Sequence, residues 1–492
     1  MNEEKNLVLD VDEQPSKISS WLLFAIQHIL AMLVACITVP LLTGLPIAPT
    51  LIAAGIGTIF YIFMTKKKSP VFLSSSFAYI APMSSALSVA LINNAGGKNY
   101  LALIIGMALV GLVYAIIALV IKFVGTNWLN KVLPPIVVGP VIMVIGLSLA
   151  GSAINNVTNT AGGAANYNLI CIVCALVALV ATGLSAHYGK KMIKLIPFVI
   201  GMCSGYLAAL LFTCIGYYAC GNEYFKIINF QPFLDIFGKG KVSFASFINY
   251  KLFVPNDPQS FIFLRFNEIK QFDWAKIGEV MLLFIPVSLV TVCEHVGDHE
   301  NLGNIIHRDL LHGEPGMTRT LLGDGVATAI SGALCGAANT TYGENVAVIG
   351  MTKIASVKVV LLAAIMTVAI GFITPFTALL STIPACVTGG VSLILYGFIA
   401  SSGVKMLIQE KIDFSKTKNI FVASVILVAG IGGLCFKFGN PTNPTIEITS
   451  IAVAMFLGII MNIILVEKKP KSEAKVEAVE AEKTAKAKEE DK

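Results

Sequence analysis

The chain has 492 residues, of which 56% are hydrophobic and 13% are charged, and its mean hydropathy is +0.79. Soluble domains carry about 25% charged residues, so this composition excludes a soluble globular protein. The net charge of +6 comes from short breaks between apolar runs and does not indicate a nucleic-acid partner. The composition predicts a chain that crosses a lipid bilayer many times.

The apolar runs give the predicted spans in chain order. A spanning helix needs roughly 20 apolar residues, and about fourteen runs reach that length. They cover residues 20–40, 43–64, 72–93, 100–124, 132–153, 168–187, 192–218, 275–298, 318–336, 339–357, 359–382, 384–408, 417–436 and 446–466. The first twenty residues are polar and acidic, which argues against a cleavable signal peptide and leaves the first span in the mature protein.

Basic residues predict the orientation of these spans. Short cytoplasmic loops carry the excess of Lys and Arg, and with both termini inside those loops hold most of the basic clusters. The exception is the long segment 219–273, which we expect to be an external insertion. The tail 467–492 alternates Lys, Glu and Ala and is predicted to be a solvated cytoplasmic segment.

Two spans also show an internal similarity. Residues 133–153 and 383–403 share six identities in an ungapped alignment, including Pro134 with Pro384 and Gly139 with Gly389. They are spans five and twelve, seven apart. An odd-numbered unit repeated once must insert upside down, so the pattern indicates two inverted repeats, as in many secondary transporters.

Two predicted spans do not read as ordinary helices. Residues 72–82 (FLSSSFAYIAP) and 338–346 (ANTTYGENV) each begin with a polar, strand-prone stretch and continue into apolar sequence. Non-helical backbone survives in a bilayer only where protein or a watery cavity supplies hydrogen bonds. Broken segments of this kind indicate a central binding site, with helices expected to begin near Ala78 and near Glu344. The alternative is a pair of kinked helices.

Carboxylates in the apolar regions are the next candidates. Glu294 and Asp298 are four residues apart and share a helix face, whereas Glu300 falls off it. Acids inside a membrane are costly unless they are neutral, paired or functional. Asp324 is expected to cap or brace a helix end. The run EHVGDHE lacks the HExxH order, so no metal site is predicted there.

These parts together suit a flat, neutral, amide-like solute. Carboxylates would accept its N–H groups, while the backbone N–H groups of Phe77 and Gly343 could donate to its carbonyls. Phe77 or Tyr342 could stack on the ring face. A buried acid would also hold a driving proton. A small organic anion would fit only if the acids were protonated.

Four motifs carry a family resemblance: Gln27-His28, residues 74–82, residues 293–305 (CEHVGDHENLGNI) and residues 339–345 (NTTYGEN). At these residues, and from about Ser20 to Val466, the chain resembles the nucleobase–ascorbate transporter family, also called nucleobase:cation symporter-2, and especially its bacterial uracil carriers.

The resemblance implies an all-α polytopic membrane protein with about fourteen spans in two inverted repeats of seven, and short antiparallel strands in segments three and ten. It implies a core domain (20–124 and 275–382) and a gate domain (132–218 and 384–466). Outside these lie an N-terminal tail (1–19), the external insertion 219–273 and the charged tail 467–492. The family is commonly dimeric and resides in the cell membrane.

The resemblance also implies roles for individual residues. Glu294 and Glu344 would bind the base, Phe77 and Gly343 would contribute backbone N–H groups, and Ala35 and Tyr342 would line the pocket. Glu294 or Asp298 would carry the coupling proton, and no cofactor is expected. Structural support would come from four further residues, Gln27, His28, Asn345 and Asp324.

The sequence departs from the family pattern at Asp298, where a well-studied type of uracil symporter has His, and at Ala347, where Gly is usual. Glu344 matches uracil carriers, whereas Gln is usual in xanthine and urate carriers. We therefore predict import of uracil by proton symport. A purine symporter of the same family and an anion carrier of related fold stay open, as does sodium coupling. A channel or an intramembrane enzyme fits less well.

Overall fold

The structure is a computed structural model that describes residues 7–89, 98–125, 128, 133–159, 167–190, 192–238, 246–257, 260–261, 264, 272–440 and 443–465. The predicted tail 467–492 lies outside the described residues. Within them, eight helical stretches are long and apolar enough to cross a membrane: Ile18–Thr43, Ile47–Met64, Tyr100–Val124, Pro135–Thr158, Leu169–Tyr188, Pro197–Ala219, Ile277–Ile306 and Ala385–Gln409.

The first part of the chain forms these helices and one strand: α1 (Ile18–Thr43), α2 (Ile47–Met64), β1 (Leu73–Ser75), α3 (Ile80–Ser88), α4 (Tyr100–Val124), α5 (Pro135–Ser148), α6 (Ala150–Thr158), α7 (Leu169–Tyr188), α8 (Met192–Leu195), α9 (Pro197–Phe212) and α10 (Gln231–Phe237). A π-helical segment, Thr213–Ala219, continues α9.

The second part forms α11 (Ile277–Ile306), α12 (Met317–Ala333), β2 (Asn339–Thr341), α13 (Gly343–Thr352), α14 (Val357–Gly371), α15 (Thr374–Ser381), α16 (Ala385–Gln409), α17 (Thr417–Ile431), β3 (Phe436–Asn440), β4 (Asn443–Ile448) and α18 (Ser450–Ile464). The shorter apolar helices among them are α14, α17 and α18.

Two predicted spans are corrected by these bounds. The run 359–382 is not one helix, because α14 ends at Gly371 and α15 begins at Thr374, where Pro375 occupies the first turn. Proline has no N–H to bond back into a preceding turn, so it starts a helix rather than continuing one. The run 417–436 ends at Ile431 because Gly433 takes φ +75° and turns the chain into β3.

Strands β1 and β2 pair antiparallel, as predicted for the two broken segments. Leu73 lies opposite Thr341 and Ser75 opposite Asn339, and both strands are buried. The Ser76 N–H extends the pairing by donating to the Ala338 carbonyl at 2.8 Å. The two segments therefore satisfy each other's backbone groups, and each leads directly into a short helix, α3 or α13.

The described part of the insertion 219–273 is hydrogen-bonded to the helices near its start and again further along. Near its start, the Asn168 side-chain amide donates to the Tyr224 carbonyl at 2.8 Å, and the Leu169 N–H donates to the Tyr224 hydroxyl at 2.8 Å. Further along, the Asn249 N–H donates to the Phe372 carbonyl at 2.9 Å, beside an antiparallel bridge between Ile248 and Ile373. The insertion thus rests both on the start of α7 and on the corner between α14 and α15.

The helices pack in matched pairs. Helix α4 lies on α12 and α2 lies on α14, while α11 contacts α4 and α1 contacts α14. A second set joins α5 with α16 and α17, α16 with α7, α7 with α9 and α17 with α18. Two pairs of these contacts between the halves of the chain mirror each other: α4 packs on α12 as α2 packs on α14, and α5 packs on α17 as α7 packs on α16.

Glycines allow the closest of these approaches. A Cβ added to Gly146 on α5 would lie 2.5 Å from the Tyr396 carbonyl oxygen and 2.7 Å from the Ala400 nitrogen of α16. Both are backbone atoms that cannot rotate away. Gly151, on α6, has open space around its Cα. Small residues let membrane helices approach in this way.

We predict that Gly146→Ala lowers the melting temperature of the purified protein by several degrees, because overpacking costs about 1–3 kcal/mol. The matched variant Gly151→Ala should leave the melting temperature within about one degree of wild type, since alanine favours a helix. Thermal unfolding in detergent measures both. Equal shifts in the two variants would contradict close packing of α5 on α16.

Candidate functional site

Three carboxylates line one cavity of about 480 Å³. Glu294 and Asp298 project from α11, and Glu344 projects from the first turn of α13. All three side chains are half-buried. Their i,i+4 spacing on α11 and the start of a helix at Gly343 bring together residues that are about fifty positions apart in sequence.

Asp298 of α11 is hydrogen-bonded to the broken segment 338–346. The Thr341 hydroxyl donates to Asp298 Oδ2 at 2.7 Å. A Cβ built on Gly343 would lie 3.5 Å from Asp298 Oδ1, so the carboxylate lies beside the bare Cα of that glycine. Asp298 therefore links α11 to the junction of β2 and α13.

The start of α13 is an electropositive helix end within the site. Tyr342 is extended, with φ −131° and ψ 105°, and the helix begins at Gly343. The first N–H groups of a helix have no intrahelical partner, and the helix dipole favours negative charge there. Glu344 occupies this first turn, and Gly343 and Glu344 both line the cavity.

Helix α1 supports α13 from behind. His28 Nδ1 lies 2.8 Å from Asn345 Oδ1, and both side chains are buried. Gln27, the neighbour of His28, is also buried. Of the polar residues predicted to support the site, His28 and Asn345 thus contact each other where α1 meets α13. Gln27 lies next to His28 on α1.

The histidines of the EHVGDHE run face other helices. His295 Nδ1 lies 2.8 Å from Asp324 Oδ2, and neither side chain is exposed to solvent. His299 Nδ1–H donates to the His295 carbonyl at 2.8 Å, and its Nε2 accepts from the Tyr61 hydroxyl at 2.6 Å. Among the described residues, no group of three or more His, Cys, Asp or Glu side chains is arranged to hold a metal ion.

Asp324 differs from its predicted place. It lies in the second turn of α12 rather than at a helix end, and its partner is His295 on α11. The sequence analysis predicted that Asp324 caps or braces a helix end, and the residue is flanked by Gly323 and Gly325. The glycines instead allow close packing, since a Cβ at Gly325 would lie 2.6 Å from the Cβ of Tyr114 on α4.

The wall facing the acids was not predicted. It is formed by Ile142 of α5 and by Phe398, Ile399 and Ser402 of α16. Apolar residues at these positions resemble any other lipid-facing or buried helix residue, so the sequence carries no signal for them. Lys194, Lys405 and Gln409 line the same cavity and are exposed.

Three predicted pocket residues lie outside the lining of this cavity. Ala35 is buried within α1, where Ala31, one turn earlier, lines the cavity instead. Tyr342 is buried just before α13. Phe77 is also buried, and its ring meets the ring of Tyr396 edge-on with centroids 6.2 Å apart. Phe77 therefore touches α16, on the far wall.

The arrangement has a clear chemical preference. Three half-buried carboxylates offer acceptors to N–H donors, and the N–H of Gly343 at the start of α13 can donate to a carbonyl oxygen. The apolar wall of α5 and α16 suits the face of a flat ring. A fully charged anion would meet three like charges unless the acids were protonated.

Relatives with known names were found along the whole chain. The sequence is 39% identical over 458 residues to a protein named uracil permease from Bacillus caldolyticus, which covers 93% of this chain and 94% of that protein. It is 37% identical to the uracil permease of Bacillus subtilis, and the match covers 95% of this chain and 97% of that protein. It is 30% identical to the putative pyrimidine permease RutG of Escherichia coli, covering 90% and 89%.

Solved structures share the fold at low sequence identity. The transmembrane domain of a cyanobacterial bicarbonate transporter, BicA, superimposes with a TM-score of 0.58 at 12% identity, covering 92% of this chain and 99% of that chain. Murine Slc26a9, an anion transporter in its inward-facing state, gives a TM-score of 0.60 at 12% identity, covering 92% and 69%. At this identity the likeness concerns the fold alone.

The profile of the family Xan_ur_permease, described as "Permease family", matches residues 19–438. The apolar helices agree with a multi-pass membrane protein. Together with relatives that are up to 39% identical over most of their length, this match shows that the chain belongs to the permease family and is a transport protein rather than an enzyme.

Proposed function

We propose that this chain is a nucleobase permease that imports uracil together with a proton across the cell membrane. The observation that carries the proposal is the meeting of Glu294, Asp298 and Glu344 in one cavity at the broken segment. The relatives named uracil permease support the choice of substrate.

The chemistry of the base matches the cavity. Uracil has two ring N–H donors and two carbonyl acceptors and carries no charge. Glu294 and Glu344 would accept hydrogen bonds from its N–H groups. The backbone N–H of Gly343 would donate to one of its carbonyl oxygens. The backbone N–H of Phe77 would also donate to a carbonyl oxygen once the pocket closes around the ring. Hydrogen bonds to charged groups contribute about 1.5–3 kcal/mol each, which is enough to select a base by its edge.

The proton would bind to Asp298 or Glu294. Both line the cavity, and the Thr341 hydroxyl that bonds to Asp298 can stay in place when the carboxylate gains a proton on its other oxygen. Acids that lie within the membrane region mark proton pathways in many carriers. His295, by contrast, is fully engaged with Asp324 and Thr320, away from the cavity lining.

The domain plan belongs to the same proposal. Residues 20–124 and 275–382 would form the core, and residues 132–218 and 384–466 would form the gate. Helix α4 packs on α12 as α2 packs on α14, and α16 packs on α7 as α5 packs on α17. Such pairs of equivalent contacts are expected of two repeats of seven spans related by a twofold axis. The cavity lies where α11 and α13 of the core face α5 and α16 of the gate.

Orientation and assembly complete the proposal. With both termini in the cytoplasm, the exposed Lys194, Lys405 and Gln409 lie at the cytoplasmic mouth of the cavity, so the conformation seen would be open to the inside. We further propose that the permease is a homodimer in the cell membrane.

Two alternatives are weaker. A purine symporter of the same family would need a larger flat pocket, and Glu344 in place of Gln favours a pyrimidine. An anion carrier is favoured only by the fold likeness to the bicarbonate and Slc26a9 transporters. Three carboxylates in the cavity oppose it, because they outnumber the two exposed lysines, Lys194 and Lys405, that line the same cavity.

We predict that Glu294→Gln and Glu344→Gln each reduce uracil uptake by about 10- to 150-fold, because a charged acceptor for an N–H group, which contributes about 1.5–3 kcal/mol, becomes a neutral one. The matched control is Glu300→Gln, an exposed acid on the same helix that does not line the cavity. Initial rates of labelled uracil uptake, corrected for the amount of protein in the membrane, measure the effect. Wild-type uptake by both site variants would refute the assignment.

Competition separates the candidate substrates and the coupling ion. Unlabelled uracil should abolish uptake of labelled uracil, thymine should compete partly, and xanthine and urate should not compete at a tenfold excess.

A proton uncoupler should reduce accumulation of uracil to the equilibrium level, and replacing sodium should have no effect on uptake. Full competition by xanthine, or loss of uptake without sodium, would redirect the proposal to a purine carrier or a sodium symporter.

A further inference from the structure

The segment Leu7–Gln14, here called the N-terminal strap, pairs with the connection between α13 and α14. The Val8 N–H donates to the Lys353 carbonyl at 2.7 Å, the Ala355 N–H donates to the Leu9 carbonyl at 2.9 Å, and the Val357 N–H donates to the Val11 carbonyl at 3.0 Å. Leu9 and Ile354 form a parallel bridge. The strap therefore adds a short strand along the chain that leaves the site helix α13.

Side chains reinforce this pairing. The Ser356 hydroxyl donates to the Glu13 carbonyl at 2.5 Å, and the Lys358 ammonium donates to Gln14 Oε1 at 3.2 Å. The Val11 side chain is completely buried and belongs to the main hydrophobic core. A segment that contributes a buried side chain and a run of backbone hydrogen bonds is a docked part of the fold.

The acids of the strap hold the other site helix. Arg308 follows the end of α11 by two residues, and its Nη2 donates to Asp10 Oδ1 at 3.0 Å and to Asp12 Oδ2 at 3.1 Å. The exposed fractions of the Arg308 and Asp10 side chains are 26% and 24%, against 71% for Asp12. The ion pair between Arg308 and Asp10 is therefore less exposed than the pair between Arg308 and Asp12, and solvent weakens it less.

The strap thus joins the ends of both helices that carry the site. Helix α11 carries Glu294 and Asp298 and ends at Ile306, and α13 carries Glu344 and ends at Thr352. Asp298 and Glu344 each lie eight residues before the end of their helix, or about 12 Å at 1.5 Å per residue. The strap therefore contacts the chain just beyond the ends of both helices, each of which carries a carboxylate eight residues before its end.

We propose that the strap is a positioning element for the substrate site, which fixes the ends of α11 and α13 relative to each other and so sets the spacing of their carboxylates. Helix α13 has only ten residues, and His28 of α1 contacts it near its start, so the strap supplies a contact just beyond its other end. The consequence for affinity rests on the proposed function, whereas the ordering of α13 does not.

Removing residues 2–14 deletes the strap, and removing residues 2–6 is the matched control, because it shortens the chain but stops before the strap. We expect the longer deletion to raise the KM for uracil uptake at least threefold while the shorter one leaves it unchanged. Hydrogen–deuterium exchange of the amides of Gly343–Thr352 should be several-fold faster in the longer deletion only. Both proteins are compared at equal amounts in the membrane.

Point variants keep the test valid if the longer deletion fails to fold. Arg308→Gln should raise KM about two- to fivefold, and Arg308→Lys should raise it less, because lysine keeps the charge. Arg308→Asp combined with Asp10→Arg should return KM to within twofold of wild type. A purely structural role would lower the amount of folded protein without moving KM.

The outcomes are distinguishable. Unchanged KM and unchanged exchange of α13 in both the deletion and the Arg308 variants would overturn the positioning role. A lower amount of protein with unchanged KM would overturn it as well. If wild-type protein showed no saturable uracil uptake, the proposed function would be wrong, and the exchange rates of α13 would still decide whether the strap orders that helix.

Discussion

An unsatisfied backbone group costs several kcal/mol inside a lipid bilayer, and the candidate site is built where two stretches of irregular backbone meet. Strands β1 and β2 supply hydrogen-bond partners to each other's backbone, since every residue of Leu73–Ser75 is paired with a residue of Asn339–Thr341. Because the strands end there, α3 and α13 can begin within the protein. The free N–H groups at the start of α13 and the acids of α11 then meet in the same cavity.

The broken segments and the acids could be predicted because they violate the rules for membrane helices. Polar, strand-prone residues and carboxylates have no reason to interrupt an apolar run unless they are needed there. The predicted helix start near Glu344 lies one residue from the observed start at Gly343, and that near Ala78 lies two residues from Ile80. Glu294 and Asp298, whose spacing predicts a shared helix face, both line one cavity.

Features that depend on long-range packing could not be predicted in this way. Ile142 and Phe398 on the far wall are ordinary apolar residues in the sequence, and only the fold brings them to the cavity. Asp324 was expected to cap or brace a helix end, whereas its partner, His295, lies on another helix. The break between α14 and α15 falls in an apolar run where the hydropathy pattern continues, and the one local signal for it is Pro375.

The central claim is that two glutamates accept the two N–H groups of the base, and binding of N-methylated analogues tests it most directly. Calorimetric titration of the purified protein with uracil, 1-methyluracil and 3-methyluracil measures the loss for each N–H. The account predicts that each methyl group weakens binding at least about tenfold, because a buried acceptor loses its donor. In Glu294→Gln or Glu344→Gln, one of the two losses should shrink. Analogues that bind as tightly as uracil would contradict the account.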